Sequence, residues 1–497
     1  MMLDFYAPEF KCILPEIILV VSALLILMAG SFRKSASPNF LRHLSQNAIL
    51  ALILALGVLV FQHQPGEKWV TFEGQIFQDD FIYFAKILVI TSSAAVLAIS
   101  IPSMLKEHIL SFEFPVLILL ATTGMLLMVE SNDFMSLFVG LEMQGLSLYV
   151  LAALNRNQLS SSEAALKYFI LGALATVLFL YGVSLIYGFS GSTSFEALGS
   201  VIRVESVEGL PISLLIALVF IIGALSFKVS IVPFHMWTPD VYQGCPTPIT
   251  AFIAAAPKAA AMIVFLRLMV MPFMLLYGEW QPIIIFISFA SMVVGAFAAL
   301  RQTDLKRLLA YSAIGQMGYA LMGVAAGNDE GIQAVFVYLA LYLVMIVGTF
   351  GCLLALRSKS PQGVQRIEDL SGLAALHPKI SFALAVFMFS LAGIPPLAGF
   401  FAKLYVFKAA ISAGLFPLAI IGVLTSVVAT YYYLKIVKVM YFDAIPEILP
   451  DSYGQTVLLS HEMIIVLNLC TLVTLLFFVF PNPLFELAQQ AAFALPI

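Results

Sequence analysis

The chain has 497 residues, 62% hydrophobic and only 10% charged, with a mean hydropathy of +1.03 and a formal net charge of −4. A soluble domain averages about 45–50% apolar and about 25% charged residues, so most of this chain belongs in a membrane. Nothing in the charge pattern points to a nucleic-acid partner, and the four cysteines (Cys12, Cys245, Cys352, Cys470) are too far apart for a metal site or a C-x-x-C pair.

Apolar runs long enough to span a hydrocarbon core of about 30 Å repeat from end to end. They lie near 13–30, 46–62, 81–101, 114–129, 133–153, 162–188, 211–236, 246–273, 281–299, 307–325, 331–355, 378–410, 415–440 and 460–480. This is an all-α integral membrane protein of about fourteen transmembrane helices. The start "MMLDFYAPEF" lacks the basic segment of a cleaved signal peptide, so the first run is expected to be a retained span. The longest loops, near 63–80, 189–210, 356–377 and 441–459, are too short for a soluble catalytic domain. No site for haem, an iron–sulfur cluster, flavin, nucleotide or metal is expected in this chain.

The loop cations fix an orientation. Loops after odd-numbered spans hold Arg33, Lys34, Arg42, Lys106, Arg156, Arg301, Lys306, Arg307, Arg357, Lys359, Arg366, Lys379, Lys435 and Lys438, whereas the other side holds only Lys11, Lys68 and Arg203. This positive-inside bias puts both termini outside the cytoplasm.

Seven basic residues remain inside spans: Lys86, Lys167, Lys228, Lys258, Arg267, Lys403 and Lys408. Lys86 and Lys408 lie near helix ends, where a long side chain snorkels to the interface, and Arg267 is read the same way. A lysine at a helix centre costs about 2.5–3.5 kcal/mol on insertion scales, so those that stay line a wet path, relay protons or pair with each other.

Lys228 lies five residues before Pro233 in "FKVSIVPFHMW". Proline lacks an amide hydrogen and clashes with the carbonyl four residues back, so the seventh span is expected to break beside the lysine. Backbone freed at membrane depth survives only against protein or a water-filled cavity. His235 follows the break as a secondary proton carrier. The twelfth span, "FSLAGIPPLAGFFAKLYVF", repeats the arrangement: Pro395 and Pro396 free the carbonyls of Leu391 and Ala392, Gly393 weakens the helix further, and Lys403 follows. Spans seven and twelve are five apart, so two five-helix repeats, spans 4–8 and 9–13, would be inverted relative to each other. The corresponding segments are 1–110, 111–275, 276–442 and 443–497.

In the eighth span Lys258 follows Pro257 amid alanines. In the fifth, "SLFVGLEMQGLSLYVL" holds one carboxylate, Glu142, between Gly140 and Gly145, where a neighbouring helix can approach closely. Lys228 is its natural cation and Lys167 an alternative, although Glu163 and Lys167 also suit a local i,i+4 pair. Lysine suits a relay because desolvation lowers its pKa toward neutrality and a nearby carboxylate raises it again; arginine stays protonated.

The stretches "FVGLEMQGLSLYVL", "EAALKYFILGA", "FKVSIVPFHMWTPDVYQGCPTPITAF", "DLKRLLAYSAIGQMGY", "SLAGIPPLAGFFAKLYVF" and "YYYLKIVKVMYF" resemble the antiporter-like membrane subunits of respiratory complex I, and within that family the N branch. The resemblance implies discontinuous helices seven and twelve, Glu142 modulating Lys228, Lys258 as central relay and Lys403 on the exit side. Gln316 stands where relatives often carry histidine, so the link from Lys258 to Lys403 would run through water with Tyr311, Ser312, Gln316 or Tyr338. The resemblance also implies proton translocation coupled to redox chemistry elsewhere: NADH, FMN, iron–sulfur clusters and quinone in partner subunits. The partners it implies are the M and L antiporter-like subunits and small A/J/K-type subunits, in a bacterial inner membrane. An Mrp-type cation/proton antiporter, a hydrogenase-linked membrane subunit and a scaffold with static ion pairs remain the alternatives.

Overall fold

The computed structural model describes residues 10–33, 37–107, 109, 111–205, 211–356, 365–444 and 459–495; Lys34, Arg357 and Lys359 lie outside them. In chain order the first elements are α1 (Leu14–Ser31), α2 (Pro38–Gln62), β1 (Trp69–Thr71), β2 (Ile76–Gln78), α3 (Asp80–Lys106) and α4 (Glu113–Glu130). Then come α5 (Phe134–Ala152), α6 (Leu159–Ser190), α7 (Phe195–Glu205), α8 (Ile212–Val229), α9 (Trp237–Gly244), α10 (Thr247–Ala254) and α11 (Ala256–Val270). The remainder is α12 (Tyr277–Leu300), α13 (Leu305–Ala326), α14 (Asp329–Ala355), α15 (Leu373–Leu376), α16 (Pro378–Ala392), α17 (Ala398–Ser412), α18 (Phe416–Phe442), α19 (His461–Leu476) and α20 (Asn482–Ala494).

Twelve of the described helical segments are long and apolar enough to cross a membrane, and Pro378–Ala392 and His461–Leu476 are shorter apolar helices. Each of the fourteen expected runs carries helix. Polar caps set where several begin: Asp79, Asp133, Asp304, Asn328 and Ser460 each accept a backbone N–H from the first turn. The purely α expectation needs one correction. The loop at 63–80 folds into an antiparallel β1–β2 hairpin, with Trp69 opposite Gln78 and Thr71 opposite Ile76. The alternating "WVTFEGQIFQ", with Glu73-Gly74 at the turn, carried that signal.

Glycines let helices close on one another. A Cβ added to Gly124 would lie 2.6 Å from Gln144 N, and one on Gly140 2.7 Å from Met128 N, so α4 and α5 touch backbone to backbone. Gly295 meets Gly315 in the same way between α12 and α13. Apolar side chains exposed on α1, α2, α6 and α18 form the outer faces, as a lipid solvent requires. By contrast α10–α11 is wholly enclosed, and α13 and α14 nearly so. These three form the hub, and the ionisable residues of the site converge on it.

Candidate functional site

Three spans break, and at each break a side chain donates to a backbone carbonyl of the first half. α8 stops at Val229; Ser230 turns left-handed (φ 71°), and the chain restarts as α9 at Trp237. Trp237 Nε1 donates to Phe227 O at 3.0 Å. The eighth span breaks at Ala255, just before Pro257, and Tyr342 of α14 donates its hydroxyl to Ala254 O at 3.2 Å. The twelfth span ends its first half at Ala392, with Gly393 left-handed (φ 90°), and resumes at Ala398. Lys403 Nζ donates to Ala392 O at 3.0 Å and Gln316 Nε2 to Leu391 O at 3.3 Å. Those are the two carbonyls that Pro395 and Pro396 free. In hydrocarbon each would cost several kcal/mol if left unpaired.

A lysine sits beside every break. Lys228 lies one residue before the end of α8, against the face of α5 that carries Glu142, Gly145 and Tyr149. Gly145 leaves room for it: a Cβ there would stand 3.3 Å from Lys228 Nζ. Glu142 and Lys228 line one cavity of about 10 Å³, with Thr176, Phe138, Leu141 and Phe179 around them. A single water needs about that volume. The two charges form no direct ion pair. Glu142 Oε1 instead accepts from Thr176 Oγ1 at 2.6 Å. The carboxylate therefore shares a cavity with the lysine while Thr176 holds it.

Lys258 is 1% exposed, and its Nζ finds no hydrogen-bond partner among the described residues. Lys403 is 5% exposed and, besides Ala392 O, donates to Ser426 Oγ at 2.8 Å. Each of the three ammonium groups also lies over a tyrosine ring. Lys228 is 6.0 Å from the ring centre of Tyr149, Lys258 5.0 Å from that of Tyr242 and Lys403 5.0 Å from that of Tyr319. A ring face offsets part of the cost of a desolvated cation without fixing a counter-charge beside it.

A buried hydrogen-bonded chain joins α13, α14 and α18. Ser312 Oγ meets Tyr433 Oη at 2.5 Å, Gln316 Nε2 donates to Tyr433 Oη at 3.1 Å, and the Tyr338 hydroxyl donates to Gln316 Oε1. The Tyr319 hydroxyl, whose ring underlies Lys403, continues to Thr425 Oγ1 at 3.1 Å. Ser312, Gln316 and Tyr338 were expected here. Tyr433 joins them from "YYYLK". Tyr311 does not: it is half-buried and lies with Arg307.

Other expectations need correction. Lys167 is not near Glu142. It pairs with Glu163 at 2.8 Å and Asp240 at 2.9 Å, and Arg307 holds the other Asp240 oxygen at 2.7 Å. Glu163, Lys167 and Asp240 line a polar cavity of about 330 Å³ together with Gln243 and Asp304. Lys86 does not snorkel: it is fully buried between Glu16 and Glu130. Arg267 is 2% exposed and donates to Val129 O and Ser131 O. Lys408 does behave as expected, exposed and 3.5 Å from Glu330. His235 follows the first break with its Nδ1 unpartnered. Of the residues that sequence reasoning missed, Glu16 and Glu130 carried a signal, as acids inside "ILPEIIL" and "LMVE".

The family described as "NADH:quinone oxidoreductase/Mrp antiporter, TM" matches residues 131–429, which hold the three breaks, Glu142, Lys228, Lys258 and Lys403. The chain belongs to this family. It is 50% identical to the NADH-quinone oxidoreductase subunit N of Rhodospirillum rubrum over 97% of this chain and 96% of that one. A chain in the structure of respiratory complex I from Thermus thermophilus with bound aureothin is 31% identical, covers 96% of this chain and 99% of its own, and superposes with a TM-score of 0.79. A chain of the Mrp complex from Dietzia sp. DQ12-45-1b superposes with a TM-score of 0.79 at 22% identity, covering 100% of this chain and 98% of its own, a likeness of fold alone.

Proposed function

We propose that this chain is the proton-translocating subunit N of a bacterial NADH:quinone oxidoreductase, moving protons along Glu142, Lys228, Lys258 and Lys403. The observation that carries the reading is Lys258: an amine enclosed at the hub, without a carboxylate, between two helix breaks that hold the other two lysines. A static scaffold has no use for an unpaired buried cation, since a charge in that place costs far more than an apolar side chain. A relay does, because an amine without a fixed counter-ion holds or releases its proton as its surroundings change.

Glu142 is the modulator. Approach of its carboxylate to Lys228 favours the ammonium, and retreat to Thr176 favours release. The proton then passes to Lys258 and, by way of water and the Ser312–Tyr433–Gln316–Tyr338 chain, to Lys403 beside Ser426. His235 serves the solvent side of the first break. Movement against a potential of 100 mV costs about 2.3 kcal/mol per proton, supplied by redox chemistry in other subunits. NADH, FMN, iron–sulfur clusters and quinone are assigned to those subunits. The M and L antiporter-like subunits and small A/J/K-type subunits are the neighbours in the inner membrane. Spans 4–8 and 9–13 act as two inverted units, with both termini on the periplasmic side.

The test is Lys228→Ala and Lys228→Arg in the assembled complex, reconstituted in sealed vesicles. Both are expected to lose most NADH-driven proton translocation with assembly preserved, because arginine keeps the charge but does not release the proton. Normal pumping by the arginine variant would overturn the relay. Sodium-dependent exchange by the purified chain alone would favour an Mrp-type antiporter instead.

A further inference from the structure

A second buried charge cluster lies outside the relay. Lys86 Nζ meets Glu16 Oε1 at 2.8 Å and Glu130 Oε2 at 2.5 Å, joining α1, α3 and α4. Lys86 and Glu130 are fully buried and Glu16 is 4% exposed. Arg267, at the end of α11, donates to Val129 O at 2.7 Å and Ser131 O at 2.8 Å, the carbonyls on either side of Glu130. Glu16 Oε2, Glu130 Oε1 and Arg267 Nη2 are buried and have no hydrogen-bond partner among the described residues. Lys86 and Arg267 together balance the two carboxylates, yet each carboxylate keeps a buried oxygen without a hydrogen bond, which makes an anion costly to hold there.

The triad has a connection on each side. Outward, a cavity of about 360 Å³ is lined by Cys12, Pro15 and Asp79 near the triad and by the exposed Gln64, Glu67 and Trp69 at its mouth. Cys12 lies within electrostatic reach of Glu16, Lys86 and Glu130. Inward, Ser93 is seven residues past Lys86, hence on the same face of α3, buried and with its hydroxyl unpartnered. α3 packs on both α10 and α11, the helices that meet beside Lys258. Arg267 lies on α11 nine residues beyond Lys258, about 14 Å along the axis at 1.5 Å per residue.

We propose that Glu16, Lys86 and Glu130 form a proton-holding station on a branch from Lys258, past Ser93, to the cavity at Cys12 and Asp79. The branch rests on the relay reading above. Loaded, one of the two carboxylates carries a proton taken from the Lys258 ammonium by way of Ser93 and water, and the triad is neutral. Unloaded, the proton has gone to water in the cavity and both carboxylates share one ammonium.

Glu16→Gln and Glu130→Gln in the assembled complex test it, with Lys228→Ala as reference and protons translocated per electron as the readout. Either glutamine leaves Lys86 one carboxylate partner, so a static pin predicts a normal ratio in the complex that assembles. The station predicts normal assembly and at least half of the loss in ratio that Lys228→Ala produces, with Glu16→Asp restoring the ratio. A normal ratio in both glutamine variants, alongside a lowered ratio in Lys228→Ala, overturns the station and leaves the relay standing. Failure of both to assemble assigns the triad to structure and also overturns it. A normal ratio in Lys228→Ala removes the relay and the branch with it.

Discussion

Lys403 Nζ donates to the carbonyl of Ala392 at 3.0 Å, eleven residues back and across the break in the twelfth span. The proline that opens the helix creates the acceptor, and the lysine that the opening admits occupies it. Gly393 makes this possible, because a Cβ there would stand 3.1 Å from Lys403 Cδ. Break and lysine are one device, and the hydrogen bond fixes where the ammonium waits.

Two substitutions separate the roles of Lys403. Lys403→Met leaves Ala392 O with only the long 3.4 Å contact from Ser426, so about 1–3 kcal/mol of stability is expected to be lost along with proton translocation. Lys403→Arg retains a donor and a charge. It is expected to assemble more nearly as the parent protein does and still fail to pump. Thermal unfolding of the purified complex and pumping in vesicles check the pair.

Tyr433 ties Ser312 to Gln316. Tyr433→Phe removes the shared hydroxyl and keeps the ring, so packing survives while two buried polar groups lose a partner. Stability is expected to fall by about 1–2 kcal/mol and the pumping rate severalfold, with the exposed Tyr431→Phe as the neighbouring control. A pumping rate equal to the parent would remove Tyr433 from the path.

Gly172 faces the hydroxyl of Tyr149 so closely that an added Cβ would stand 2.0 Å from it. Gly172→Ala displaces the end of one side chain and no backbone. The fold is expected to persist, Tyr149 to swing off Lys228, and pumping to fall without loss of assembled complex. Native gel content measured beside pumping separates these outcomes.

Lys167 sits in a half-exposed network with Glu163 and Asp240, and the same Asp240 holds Arg307. Lys167→Ala is therefore expected to leave pumping close to normal, since exposed ion pairs contribute little and Arg307 still holds Asp240. Loss comparable to Lys228→Ala would place it in the relay.

The breaks in the seventh and twelfth spans were legible because a proline and a lysine five or seven residues apart are local, and in the twelfth the carbonyls that Pro395 and Pro396 free follow from helix geometry alone. The partners were not. Tyr149, Tyr242 and Tyr319 come to their lysines from other helices or beyond a turn, and a chain with 18 tyrosines does not mark which ones will do so. Lys86 misled for the same reason. Six residues from the start of α3 it has the sequence position of a snorkelling side chain, but α1 and α4 each bring a glutamate to it. The hairpin was legible in period and turn and was overshadowed by the apolar runs around it.

Lys258 offers the most direct test. Its amine is enclosed at the hub, has no hydrogen-bond partner among the described residues and lies 5.0 Å from the ring centre of Tyr242. Lys258→Met in the assembled complex is expected to assemble normally, since an apolar side chain replaces an unpaired cation, and to lower the protons translocated per electron. An unchanged ratio, or a loss of assembly that accounts for all of the lost pumping, would contradict a relay through this lysine.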